Sequence, residues 1–270
     1  MSARLRILGC GSSGGVPRIG ANWGVCDPEN PKNQRLRSSV LVERWGDDGE
    51  APDATRILID TSPDIRQQLL SAKAGCLDAV LFTHDHADHT HGIDDLRVAC
   101  YNARSRIDTY ASEQTFRMLS SRFGYCFQSP EGSEYPPILN GHLISPGQKI
   151  SIDGAGGRLD ALAIEQEHGH IRSLGFRFGS LAYSTDVSAL DDAAKAALQD
   201  LDVWIVDALR YTTHPSHFSV DQALEMIEEL KPKRAILTHL HVDLDYVELN
   251  AYLPDHVEPA YDGMVVEFDL

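Results

Sequence analysis

Closely spaced cysteines are missing from this chain, and so is any long apolar run. The five cysteines, Cys10, Cys26, Cys76, Cys100 and Cys126, are scattered with no CxxC pair. That spacing excludes a local thiolate zinc site or a dense disulfide framework. The odd count, and a start MSARLRILGCG that reads as a first strand rather than a signal peptide, set the expectation of a cytoplasmic protein. No stretch approaches the roughly 20 apolar residues of a membrane span, so no membrane partner is expected. Positive charge is scarce as well: 24 Lys and Arg face 40 Asp and Glu, a formal charge of −16. A chain so acidic repels a long nucleic acid unless a local patch or a bound metal reverses the sign. What is present is a 270-residue chain, 42% hydrophobic, with no low-complexity tract, long enough to bury a core without covalent staples.

Strand-like runs lie at 5–8, 38–43, 55–60, 77–82 and 107–111, and again at 149–152, 159–165, 174–178, 181–184, 203–206 and 235–238. Helical patterns fall between them: one opened by Pro63, then 92–101, 112–123, 188–198, 220–230 and 244–252. The Pro- and Gly-rich residues 129–147 read as surface loop and as a candidate substrate lid. Both halves mix strand and helix without a break in composition, which predicts one layered α/β domain over residues 1–270. Amphipathic helices can cover a sheet or form a dimer surface, so a homodimer stays open. The early loop GCGSSGGVPRIG matches neither the Walker pattern nor the dinucleotide fingerprint. Its glycines let the backbone approach a ligand closely, and Ser12 and Ser13 can donate hydrogen bonds, which makes Ser13 a candidate substrate contact. The plain alternative is a flexible connection.

The chemistry concentrates in Thr83-His84-Asp85-His86-Ala87-Asp88-His89, directly after an apolar strand. Three imidazoles and two carboxylates crowd six consecutive positions. Without a cation that crowding is costly at neutral pH; with a divalent ion it becomes a ligand set. Further along, His168 precedes a glycine, Asp186 follows the strand-like LAYST, and His239 follows AILT. A rigid strand can fix a ligand at its exposed end, although a single Asp there is often only a helix cap.

These residues resemble the metallo-β-lactamase superfamily, whose HxHxDH signature is matched by His84, His86, Asp88 and His89. The likeness runs through the Gly-rich loop, ILIDTSPD, THDHADH, EHGHIRSLGF, LAYSTD and LTHLH, in an order similar to the superfamily's phosphodiesterases. The pattern looks most like the branch of phosphoribosyl 1,2-cyclic phosphate phosphodiesterases, with tRNA 3′-processing endonucleases as more distant relatives. The resemblance implies a four-layer αββα sandwich and two divalent metal ions, zinc or manganese. It assigns His84, His86 and His168 to one metal, Asp88, His89 and His239 to the other, and Asp186 to a bridge. His170 and His241 compete with His168 and His239, and the earlier member of each pair fits the family pattern. His241 and Asp60 are then expected to orient ligands from behind.

The resemblance also points to His217 as an acid for the leaving group or a phosphate contact, so His217 and the ligand Asp88 are the catalytic candidates. Arg210, Tyr211 and His214 in the same segment are candidate substrate contacts, with a solvated rim, a core edge and a turn as their structural alternatives. By formal counting, such a two-metal centre with a bridging hydroxide carries a charge of about plus one, enough to attract a phosphate to an acidic protein. The expected substrate is therefore a small phosphodiester, a cyclic nucleotide or phosphoribosyl cyclic phosphate. The alternatives are a tRNA 3′-processing-like ribonuclease, a carbonyl-ester or lactone hydrolase, and a non-catalytic nucleotide-binding protein. One departure stands out: Cys26 is alone in GVCDPEN and cannot supply the extra cysteine-rich zinc site that the phosphoribosyl branch can carry.

Overall fold

The computed structural model describes residues 2–46 and 53–270. Two seven-stranded sheets face each other. The first has the order β14 (Val265–Asp269), β1 (Ser2–Gly9), β2 (Ser39–Arg44), β3 (Thr55–Ile59), β4 (Ala79–Leu81), β5 (Ile107–Ala111), β6 (Leu139–Leu143). The second runs β13 (Val257–Pro259), β12 (Arg234–Thr238), β11 (Val203–Asp207), β10 (Leu181–Ser184), β9 (Ile171–Phe178), β8 (Leu159–His168), β7 (Lys149–Ile152).

Alternation along the strands explains the layering. Leu5, Ile7, Val40, Val42, Ile57, Ile59 and Leu81 of the first sheet meet Phe176, Phe178, Leu181, Tyr183, Ile205 and Ile236 of the second in a shared core. Their neighbours point the other way. Leu8, Leu41, Leu58 and Val80 pack under α1 (Ile65–Ala72), α3 (Leu96–Ala103) and α4 (Glu113–Phe127), while Ala182, Trp204, Val206 and Leu237 pack under α5 (Asp192–Ala197), α6 (Val220–Leu230) and α7 (Tyr246–Tyr252). Strands covered on both faces read as continuous apolar runs, which is why VLV, ILI and VWIV stand out in the sequence. The result is the four-layer αββα arrangement.

Most helix starts follow local capping chemistry. Ser219 and Gln222 form a capping box at α6, and the Asp245 carboxylate accepts from Val247 N and Glu248 N at α7. The helix read at 188–198 begins only at Asp192, because Asp191 accepts from Ala194 N and caps it there. Pro63 stands before the Asp64 cap of α1 rather than inside the first turn. Residues 129–147 are not all loop: β6 lies within them and pairs in parallel with β5. Its residues after Leu139 are largely exposed, so it lacks the apolar alternation that marks a strand. The C-terminal strands β13 and β14 likewise escaped the sequence reading; β13 has only three residues.

The Gly-rich loop makes its close approach to the chain itself. A Cβ at Gly9 would lie 2.1 Å from the Arg37 carbonyl oxygen, and one at Gly11 2.9 Å from that of Leu36. Asp262, in the turn before β14, ties this junction by accepting from Cys10 N at 3.0 Å and Leu36 N at 2.7 Å. Burial pushes the Asp262 carboxyl up to about 7, against the backbone donors that favour its charge. A folded-state pKa raised above the unfolded value of 3.8 contributes stability that is complete below about pH 4 and lost as pH rises through about 7. The stability advantage of the wild type over Asp262→Asn should therefore shrink from pH 5 to pH 8 in thermal unfolding. A constant difference would show that Asp262 is charged throughout that range.

Candidate metal centre

The site forms where strand ends from both sheets converge. Asp60 follows β3, Asp186 lies just beyond β10 and His239 follows β12; all three have left-handed backbone, with φ of 63°, 52° and 60°. Non-glycine residues enter this region rarely and at a cost of about 1–2 kcal/mol. Three such turns at one edge bring side chains from three strands back toward a common point. The loop after β4 supplies His84, His86, Asp88 and His89, the last two on the single turn α2 (Ala87–Thr90). His168 ends β8, and His217 precedes α6.

Among the described residues, ligand-type atoms cluster in three overlapping groups, each within 4.8 Å: His84, His86, His168 and Asp186; Asp88, His89 and His239; and Asp186, His217 and His239. The two oxygens of Asp186 face different halves. Its Oδ1 stands 3.7 Å from His84 Nε2 and 3.6 Å from His168 Nε2, whereas Oδ2 stands 3.1 Å from His89 Nε2 and 3.3 Å from His239 Nδ1. The carboxylate thus presents one oxygen to each group of imidazoles.

Behind the cluster, hydrogen bonds fix the imidazole tautomers. His89 Nδ1 donates to Asp60 Oδ2 at 2.7 Å. Thr83 Oγ1 also donates to that oxygen, at 2.7 Å, and so is left to accept from His84 Nδ1 at 2.9 Å. His168 Nδ1 donates to the Ser216 carbonyl at 2.6 Å. In each ring Nδ1 is occupied by the protein and Nε2 faces the cluster. His84 Nε2 and His89 Nε2 are buried without a hydrogen-bond partner. Buried polar atoms normally have one, and a divalent cation supplies what these two lack. The donor set of imidazoles and carboxylates without thiolate fits zinc or manganese.

Electrostatics agrees with a site built for positive charge. Burial alone would raise the pKa of Asp186, but the imidazoles of His239, His89 and His84 outweigh it and hold the carboxyl well below the usual range. Burial, then His89, push His84 well down, keeping its nitrogen free to ligate. For His217, burial lowers the pKa and the Asp207 carboxylate, 2.7 Å from Nδ1, more than reverses it, to about 9. His217 Nε2 is 3.9 Å from Asp186 Oδ1, at the edge of the cluster.

The remaining candidates are dispersed. The ring of His214 is 5.2 Å from that of His217. Arg210 donates to the carbonyls of Thr212 and Thr213, bracing its own loop. Tyr211 packs edge-on against Tyr252 of α7, with the rings 5.7 Å apart, and Ser13 is exposed on the Gly-rich loop. His241 contacts Arg18 Nη2 and lies 2.9 Å from the Asp243 carboxylate; it is outside the three clusters. Sequence reasoning missed Asp207, although it ends the apolar run VWIV as Asp186 follows LAYST. It also missed Ser216, whose contribution is a backbone carbonyl and leaves no trace in residue type.

Residues 55–240 match the family described as beta-lactamase superfamily domain. The chain is 34% identical over 271 aligned positions to a protein of Porphyromonas gingivalis named octanoyltransferase, covering 98% of this chain but only 52% of that protein. It therefore spans about half the length of that relative. It is similar, at 37% identity and a TM-score of 0.87, to the crystal structure of a new diphosphatase from the PhnP family, covering 99% of this chain and 98% of that one. A zinc-bound PqqB from Methylobacterium extorquens shares the fold, with a TM-score of 0.73 at 17% identity over 99% of this chain and 100% of that one.

A ligand that binds only the folded state at a hundredfold excess over its Kd stabilises by about 2.7 kcal/mol. Added zinc should therefore raise the melting temperature of metal-stripped wild type by several degrees in scanning fluorimetry, and far less in Asp186→Asn. An equal rise in both proteins would place the metal elsewhere.

Proposed function

From a chain that belongs to the beta-lactamase superfamily and has the metallo-β-lactamase fold of metal-dependent hydrolases, we propose a dinuclear phosphohydrolase acting on a small phosphodiester, a cyclic nucleotide or phosphoribosyl cyclic phosphate. The observation that carries this reading is the pairing of a divided Asp186 carboxylate with the His217–Asp207 dyad beside it. His84, His86 and His168 would hold one ion and Asp88, His89 and His239 the other, with Asp186 between them. Divalent cations held there supply Lewis acidity and lower the pKa of water, the chemistry that phosphoester hydrolysis requires.

The chain's own residues supply the rest. Asp207 Oδ2 accepts from both His217 Nδ1 and Val187 N, so the His217 ring is anchored to a buried backbone amide. That contact raises the pKa of His217 and holds its Nε2 toward the cluster. The imidazolium can contact an anionic phosphate oxygen and give its Nε2 proton to the departing oxygen. Asp60 and Thr83 hold His84 and His89 in one tautomer throughout. His214 lies near enough to His217 to touch the same substrate.

A second reading, hydrolysis of a phosphoanhydride, is favoured by one observation, the 37% identity to a protein described as a diphosphatase. Both reactions break a P–O bond and ask the same of the site. A ribonuclease acting on transfer RNA is disfavoured by the formal charge of −16, since RNA affinity needs a positive surface. A binding protein without turnover would not need His217 backed by Asp207 beside the cluster.

The test is a panel of cyclic nucleotides, phosphoribosyl cyclic phosphate, a nucleoside diphosphate and an octanoyl thioester, assayed with zinc- or manganese-loaded protein of measured occupancy. Turnover of the phosphate esters that is lost on metal removal is expected; turnover of the thioester alone would overturn the proposal. Within the same assay His217→Ala should reduce kcat by about 10²- to 10⁴-fold with metal content nearly unchanged. Loss of metal along with activity would make His217 a ligand instead.

A further inference from the structure

Beside the metal cluster lies a cleft of about 550 Å³, lined by Asp85, His86, Ala87, His91, Arg122 and Phe123. Its volume lies within the range of small-molecule sites. His86 belongs to cleft and cluster alike: its ring lines the cleft, while its Nδ1 stands 3.3 Å from His168 Nε2. A molecule whose phosphate reaches the cluster can therefore extend past His86 into the cleft.

Part of the cleft wall is made by an interruption in α4. Phe123 has φ −130° and ψ 31°, non-helical values that kink the helix just before Gly124. Its ring meets His91 edge-to-face, with the centroids 5.6 Å apart. Arg122, on the adjoining position, donates from Nη1 to the Asp85 carbonyl and pairs its Nη2 with the Asp85 carboxylate at 3.2 Å. The guanidinium ties down the loop carrying His84 and His86, and its side chain remains 37% exposed at the cleft.

The wall chemistry selects the occupant. Asp85 offsets the charge of Arg122, so the cleft offers no net positive charge to a second phosphate. What it offers is an aromatic face, a second ring at its edge, and guanidinium hydrogens beside them. Planar heteroaromatic rings stack on such faces whatever their substituents, and edge oxygens or nitrogens accept from a guanidinium. We propose that the cleft binds the non-reacting part of the substrate, a planar heteroaromatic ring such as a nucleobase, stacked on Phe123 with its edge toward Arg122. The proposal rests on the phosphoester reading and narrows it, from any cyclic phosphodiester to one that carries a base.

The experiment compares two cyclic phosphates that differ only in the base: adenosine 2′,3′-cyclic phosphate and 1-O-methylribose 2,3-cyclic phosphate. Wild type, Phe123→Leu and Phe123→Tyr are assayed at equal, measured metal occupancy. Leucine keeps apolar volume and removes the ring; tyrosine keeps the ring. The expected result is a loss of about tenfold in kcat/KM for the adenosine compound in Phe123→Leu, carried by KM. The base-free compound should change by less than about twofold, and Phe123→Tyr should resemble wild type. Equal loss on both substrates, or no loss on either, overturns the cleft assignment. If wild type hydrolyses neither compound, the phosphoester reading fails, and calorimetry with AMP on the zinc-loaded proteins decides the cleft separately. Binding to wild type that weakens about tenfold in Phe123→Leu upholds it, and identical or absent binding overturns it.

Discussion

A carboxylate buried among imidazoles is the constraint on which the rest of this structure depends. Asp186 is 2% exposed, and each of its oxygens faces a different set of histidines. Isolated in a protein interior such a charge costs several kcal/mol, and only close positive charge repays it. The surrounding architecture can be understood as what holds that charge and its partners in register. Left-handed turns after β3, β10 and β12 present Asp60, Asp186 and His239 from separate strands at one edge. Thr83, Ser216 and Asp60 occupy the rear nitrogens of three imidazoles, so that only their Nε2 atoms face inward.

The sandwich itself explains why that edge is rigid. With cores on both faces of each sheet, the strands cannot slide without exposing apolar side chains from a shared interior and from beneath a helix at once. Backbone strain at three strand-end turns is thereby opposed by many buried side chains. The same edge places His217, with its Asp207 support from the end of β11, within reach of the cluster. Local and global electrostatics then act on different scales. The formal charge of −16 acts over the whole surface, while the Asp207 carboxylate raises the pKa of His217 at the edge of the cluster.

The Porphyromonas gingivalis relative named octanoyltransferase is matched over 52% of its length. Among the described residues no helix is long and apolar enough to cross a membrane. The lone Cys26, which the sequence analysis separated from any zinc role, is buried against Val16 and Val242, with its thiol directed to the carbonyls of Val242 and Leu244. It closes the base of the loop that begins with the Gly-rich segment.

Strand positions in the doubly buried centre of each sheet were legible because short apolar runs such as ILI and VWIV mark strands covered on both faces. The THDHADH motif was legible for a related reason: imidazoles and carboxylates crowded so closely in sequence are costly without a cation. Where a segment lies at an edge and is largely exposed, as β6 does, that signal vanishes, and the same residues read as loop. The sequence by itself determined the apolar alternation, the local ligand cluster and the acidic surface, since each depends on residues near one another in the chain. Only the tertiary structure decided that Asp186 turns one oxygen to each half, that Asp207 stands behind His217, that His241 turns away to Arg18, and that Phe123 packs on His91 and lines a cleft with His86. Those relations join strand ends and helices far apart in sequence, and their geometry exists only once the two sheets have packed.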